Sequence, residues 1–267
     1  MTVVRHYFLD DKPNVYLTSY VALVSKELPA HEKRKAILII PGGGYSFVSD
    51  REGEPIAYEF LNRGYNCFVL TYSVGENCVF PSPLIEASLA MKYIKDNAEK
   101  FYIDKDDVSV IGFSAGGHMA CLLGTMWNSH YVYDNIKIEP GYNKPKAMIL
   151  CYPVITSGPD THKGTIETIL KDNINDKKYL ELVSLEKQVS SETCPCYIWH
   201  TAFDTTVPIT NSLSFATALS KFKIPYELHI FKDGGHGAST CKPSVRADWP
   251  YNTRWIDEAI HFIDNIK

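Results

Sequence analysis

Long apolar runs are missing from this chain: the longest aliphatic stretch, residues 36–40, is far too short to cross a bilayer. The N-terminal MTVVRHYFLDDK also lacks the continuous apolar core of a secretory signal. A cytoplasmic protein with no membrane partner is therefore expected. Basic charge is not in excess either, with 27 Lys and Arg against 31 Asp and Glu and a net charge of -4. Without a cationic field to release counterions, nucleic acid is not an expected partner. The one basic cluster, Lys33, Arg34 and Lys35, precedes an apolar strand and reads as a solvated loop.

The seven cysteines are odd in number and lack zinc-ribbon spacing. Most lie in apolar runs, so free buried thiols are expected rather than a disulfide framework. Cys194 and Cys196, in C-P-C, read as packing at a strand entrance. The sequence has no H-E-x-x-H, no acidic metal cluster, no Gly-Lys-Ser/Thr phosphate loop and no G-x-G-x-x-G. No metal and no cofactor are expected.

What is present is an ordinary globular composition, 45% hydrophobic and 22% charged over 267 residues, enough for one large α/β domain spanning 1–267. Residues 2–9 and 15–24 read as lead-in strands. KAILIIPGGG reads as a buried strand running into a glycine turn, and EPIAYEFLNRG as a helix capped by Gly64. NCFVLTY is a strand, and Ser82 with Pro83 reads as N-cap and first turn of the next helix. DVSVIGF runs directly into the helical SAGGHMACLLGT, and KAMILCYPV, PCYIWHTAFD and PYELHIFKD repeat the strand pattern. Further helices are expected at 209–221 and 247–266. Such alternation predicts a mostly parallel sheet with helices on both faces, its functional loops at the carboxyl edge. The polar segment 156–191 reads as a small helical insertion over that edge.

Gly112-Phe113-Ser114-Ala115-Gly116 is a G-x-S-x-G motif between a strand and a helix, the context that thrusts a serine hydroxyl out of a sheet. The bland alternative is a glycine-lined turn. A nucleophilic serine needs an imidazole to take its proton and a carboxylate to fix that imidazole's tautomer. Asp204 follows one strand, and His236, in KDGGHG, follows the next, giving the order Ser, acid, His. Ser114, Asp204 and His236 are the candidate catalytic residues. Asp233 is a rival acid, favoured only by nearness in sequence. His118 should face away along the helix, and His200 and His229 read as core or supporting residues. Pro41-Gly42-Gly43-Gly44 ends a strand where backbone amides can form an oxyanion hole, so Gly43, Gly44 and Ala115 are the candidate donors.

The pattern PGGGY...SDREGEPIAYEFLNRGYNCFVLTYSV, with GFSAGGHMA, an acid before V-P, and GGHG, resembles the BD-FAE-like, acetylxylan esterase-like branch of the α/β-hydrolases over residues 37–237. That resemblance implies an α/β-hydrolase fold and a serine esterase acting on acylated sugars or related small esters without a cofactor. Pro41 in place of the H of H-G-G-G, and Phe113 in place of an acid, separate the chain from the hormone-sensitive-lipase branch. Two other readings stand beside it: a serine exopeptidase of the prolyl-oligopeptidase type, and a non-catalytic binding module on the same fold. Tyr45 and Phe47 could stack on a sugar ring or simply pack over the glycine turn. The acyl group, the alcohol and the oligomeric state are not fixed by the sequence, and a homo-oligomer stays open.

Overall fold

The computed structural model describes residues 1–9, 12–27 and 33–266. The strands β1 (Thr2–Tyr7), β2 (Tyr16–Val21), β3 (Arg34–Ile40), β4 (Asn66–Thr71), β5 (Ile103–Phe113), β6 (Met148–Cys151), β7 (Cys196–Thr201) and β8 (Tyr226–Phe231) form one sheet in the order β1-β2-β4-β3-β5-β6-β7-β8. Pairing is antiparallel from β1 to β2 and from β2 to β4, and parallel elsewhere. This is the α/β-hydrolase fold.

Period-two alternation divides the strand residues between two cores. Leu38, Ile40, Val110, Met148, Leu150 and Ile198 face α2 (Ser82–Asp96), α3 (Ala115–Met126) and α7 (Thr210–Phe222). Ile37, Ile39, Ile111, Phe113, Ile149 and Trp199 face α1 (Glu54–Leu61) and α8 (Trp255–Asp264). Both faces being covered explains why these strands read as unbroken apolar runs. All twelve residues of α3 are buried, which its small and aliphatic sequence allows. The seven cysteines are free and buried.

Several boundaries differ from the sequence reading. The first two strands are shorter than expected. The helix expected at 247–266 starts only at Trp255, because a 3₁₀ turn at Pro250–Arg254 precedes it. Ser82 is already the first helical residue and its side chain caps nothing; Pro81 holds the flanking position. The segment 156–191 contains α5 (Lys163–Leu170) and α6 (Lys177–Leu182), separated by a 3₁₀ turn. A four-residue helix, His130–Tyr133, completes the α-helices named in this account as α4. No described helix is long and apolar enough to cross a membrane.

The parallel order matters for function. Loops leaving the carboxyl ends of β3, β5, β7 and β8 all open on one edge of the sheet, bringing Gly43, Ser114, Asp204 and His236 to that edge.

Candidate active site

Ser114 joins β5 to α3 with φ 52 and ψ -117, a left-handed backbone that costs a non-glycine residue roughly 1–3 kcal/mol and persists only where its surroundings enforce it. The flanking glycines are required by contact. A Cβ on Gly112 would lie 2.2 Å from Gly116 O, and one on Gly116 would lie 2.2 Å from Ile40 O. The turn is therefore pressed against the end of β3, and the serine side chain is turned out toward the loops.

Ser114 Oγ lies 2.8 Å from His236 Nε2, and His236 Nδ1 lies 2.7 Å from Asp204 Oδ2. The second carboxylate oxygen accepts from the amides of Thr206 at 2.9 Å and Val207 at 3.0 Å. Since a carboxylate only accepts, the partners give His236 an Nδ1–H and leave Nε2 free to accept the serine proton. Burial alone would raise the Asp204 carboxyl. Hydrogen bonds from His200 and His236, the His236 charge and the Val207 amide outweigh it and hold the group well below the usual carboxylate range.

His200 is fully buried, 3.3 Å from Asp204 Oδ2, with Nε2 also 3.0 Å from Val207 O and Nδ1 2.8 Å from Ser212 Oγ. It is a supporting residue, as expected. Asp233 is exposed and its carbonyl accepts from Asn252, while the hydrogen-bond partners of the His236 ring are Asp204 and Ser114. His118 is sealed in the core of α3, bonded to Tyr45 Oη and Val183 O. His229 departs from the sequence reading. Its side chain is half-buried on β8, between Glu227 and Glu258, because β8 is the edge strand, paired only with β7, and most of its residues are half-buried or exposed.

The glycine turn packs as tightly as the elbow. Gly43 has φ 125, and a Cβ there would lie 2.0 Å from Phe47 O. Gly42 N donates to Glu52 Oε2 at 2.8 Å, while Tyr72 Oη donates to Pro41 O at 2.7 Å. Among the described residues, the amides of Gly43 and Gly44 donate to no protein acceptor. Of the two alternatives for Tyr45 the structure takes packing: it is fully buried, with its hydroxyl on His118, and cannot stack on a ligand, whereas Phe47 is 60% exposed.

Ser114, His236, Gly43, Gly44 and Phe47 line a cavity of about 290 Å³ together with Arg51, His162 and Thr206. A larger cavity of about 780 Å³ beside Lys12 and Ser73 has no histidine or aspartate among its described lining residues. Arg51 and His162 were not singled out from sequence. Arg51 is in a 3₁₀ turn, with its guanidinium against Gly237, and His162 comes from the insertion, where its Nδ1 accepts from Thr165 at the start of α5. Burial lowers the His162 imidazole from its usual value, and the nearby His236 lowers it further. No group of three or more His, Cys, Asp or Glu among the described residues is placed to hold a metal ion.

A model of the BD-FAE family matches residues 26–219. The chain belongs to the BD-FAE family, in the esterase branch of the α/β hydrolases. This BD-FAE protein is 41% identical over 224 residues to Endo-1,4-beta-xylanase B of Butyrivibrio fibrisolvens, covering 81% of this chain and 34% of that one. It is 30% identical to the acetylxylan esterase of Xylanibacter ruminicola, covering 79% of this chain and 42% of that protein. It thus spans less than half the length of these two curated relatives. Over a fuller length it is similar to the crystal structure of an acetyl ester-xyloside bifunctional hydrolase from Caldicellulosiruptor lactoaceticus. There the identity is 34%, the TM-score 0.81, and the match covers 94% of this chain and 87% of that one.

Proposed function

We propose that this chain is a serine esterase that removes short acyl groups, acetyl above all, from sugars or related small esters. The observation that carries the reading is the unbroken hydrogen-bonded chain Ser114–His236–Asp204 opening into a small cavity. In this reading His236 Nε2 takes the Ser114 proton as Oγ attacks the acyl carbon, and Asp204 stabilises the imidazolium without being protonated. The amides of Gly43, Gly44 and Ala115 receive the developing oxyanion. The protonated His236 gives its proton to the departing alcohol, leaving an acyl-serine. Water, deprotonated by the same nitrogen, then releases the carboxylic acid and restores the serine.

A cavity of about 290 Å³ is at the lower end of small-molecule sites, which favours a small acyl group over a long chain. The names of the relatives, an acetylxylan esterase and an acetyl ester-xyloside hydrolase among them, support the sugar-ester assignment. A panel of p-nitrophenyl esters from acetyl to octanoyl, with acetylated xylo-oligosaccharides and aminoacyl anilides, tests the reading. Release of acetate from the oligosaccharides with no anilide cleavage is expected. Anilide cleavage without acetyl release would point to the exopeptidase chemistry, and inactivity on every substrate to a binding module.

A further inference from the structure

Glu52 is a buried carboxylate, 3% exposed, and makes no ion pair among the described residues. A buried charge persists only where hydrogen bonds replace its water. Oε2 accepts from the amide of Gly42 at 2.8 Å, and Oε1 accepts from the hydroxyl of Tyr152 at 2.7 Å. The Tyr152 hydroxyl, having given its proton to Glu52, accepts from the amide of Ser239 at 2.9 Å. Gly42 precedes the two amides proposed for the oxyanion hole, and Ser239 lies three residues after His236. One carboxylate and one phenol therefore tie the oxyanion loop to the histidine loop.

Other contacts tighten this link. The Tyr152 ring meets the His236 ring edge to face, with centroids 5.0 Å apart. Ser239 donates its hydroxyl to Arg51 O and accepts from Trp255 Nε1 at 3.1 Å. Tyr152 (φ 38) and Ser239 (φ 50) are both non-glycine residues with left-handed backbone. Their mutual hydrogen bond helps to hold two conformations that the chain would otherwise leave.

We propose that Glu52 is a positioning residue: through Gly42 on one oxygen and Tyr152 on the other, it sets the spacing between the oxyanion donors and the His236 imidazole. This rests on the serine-esterase reading above. Both Glu52 oxygens act as acceptors here, so an amide at this position would turn an N–H toward the Gly42 amide or the Tyr152 hydroxyl.

The test compares Glu52→Gln, Tyr152→Phe and the double variant on p-nitrophenyl acetate, with kcat expressed per serine titrated by a fluorophosphonate and thermal unfolding measured separately. Each single variant is expected to lose about 10-fold or more in kcat, as small misplacements of reacting groups do, with KM changed by less than about 2-fold. The double variant should be little worse than either single, because both cut the same link. A purely structural role would lower Tm and the titratable fraction and leave kcat per titrated serine unchanged; that result, or losses that multiply, overturns the proposal. Should Glu52→Gln fail to fold, Tyr152→Phe deletes one hydroxyl and keeps the ring, so it still decides the question. If the acetate hydrolysis survives Ser114→Ala, the serine-esterase reading has failed instead, and the two failures are distinguishable.

Discussion

Two imidazoles flank the same helix start and are bonded through both ring nitrogens, yet their surroundings give them opposite tautomers. His236, at the carboxyl edge, has Asp204 on Nδ1 and Ser114 on Nε2. His118, one turn into α3, has Tyr45 Oη on Nδ1 and Val183 O on Nε2. A carbonyl only accepts, so His118 carries its proton on Nε2, the reverse of His236. Burial pushes the His118 pKa down to about 4, against a smaller upward effect of the Val183 hydrogen bond. In the proposed mechanism the base is the imidazole with a carboxylate behind it and a hydroxyl before it. Nearness to the serine in sequence is not enough, since His118 is four residues from Ser114 and His236 is 122 away.

The comparison breaks first at the nucleophile and its base. Ser114→Ala and His236→Ala are each expected to lower kcat by several orders of magnitude. The double variant should be little worse, because the pair acts as a unit. His118→Gln should keep most of the activity per folded molecule. If kcat at saturating p-nitrophenyl acetate fell as far in His118→Gln as in His236→Ala, the two regions would have been assigned the wrong way round.

Asp204→Asn is expected to cost roughly 10⁴ in kcat, since the amide no longer selects the Nδ1–H tautomer. Asp233→Asn should cost less than 10-fold by the same argument. Steady-state kinetics of the two variants separate them, and a larger loss at Asp233 would move the acid to the exposed loop.

The buried histidine sharpens the contrast through pH rather than rate. Its folded pKa of about 4 lies below the unfolded 6.5, so its contribution is intact above pH 6.5 and is lost as pH falls through 4. A depression of that size corresponds to about 3 kcal/mol of stability by linkage. Urea unfolding from pH 7 to 4 should show that decline, and His118→Gln should flatten it. An unchanged slope in the variant would assign the acid sensitivity elsewhere.

The smallest effect concerns the cavity. Each methylene added beyond acetyl should lower kcat/KM progressively, by up to about 1 kcal/mol per carbon where the small site cannot receive it. A flat or rising series from acetyl to octanoyl would contradict the short-acyl reading.

Local constraints were the legible ones. The elbow could be read because Gly112 and Gly116 are needed within five residues, and the strand-loop positions of Asp204 and His236 follow from repeated apolar runs. The Ser82 cap was misread because Pro81, with its own constrained backbone, takes the flanking place. The choice for Tyr45 between stacking and packing stayed open because its direction depends on His118, 73 residues away. Glu52, Arg51 and His162 had no sequence signal: their meaning comes from Tyr152, Gly237 and the Gly44 turn, which come beside them only when loops from separate elements converge. Apart from the Ser82 cap, long-range contact decided these cases, and no local periodicity reports it.

The proposed mechanism makes Ser114 nucleophilic through His236. Fluorophosphonate labelling followed by peptide mass spectrometry tests it most directly. A single adduct on Ser114 is expected, formed rapidly in the unmodified chain and slowed by several orders of magnitude in His236→Ala. Labelling at another serine, or a rate on Ser114 indifferent to His236, would contradict it.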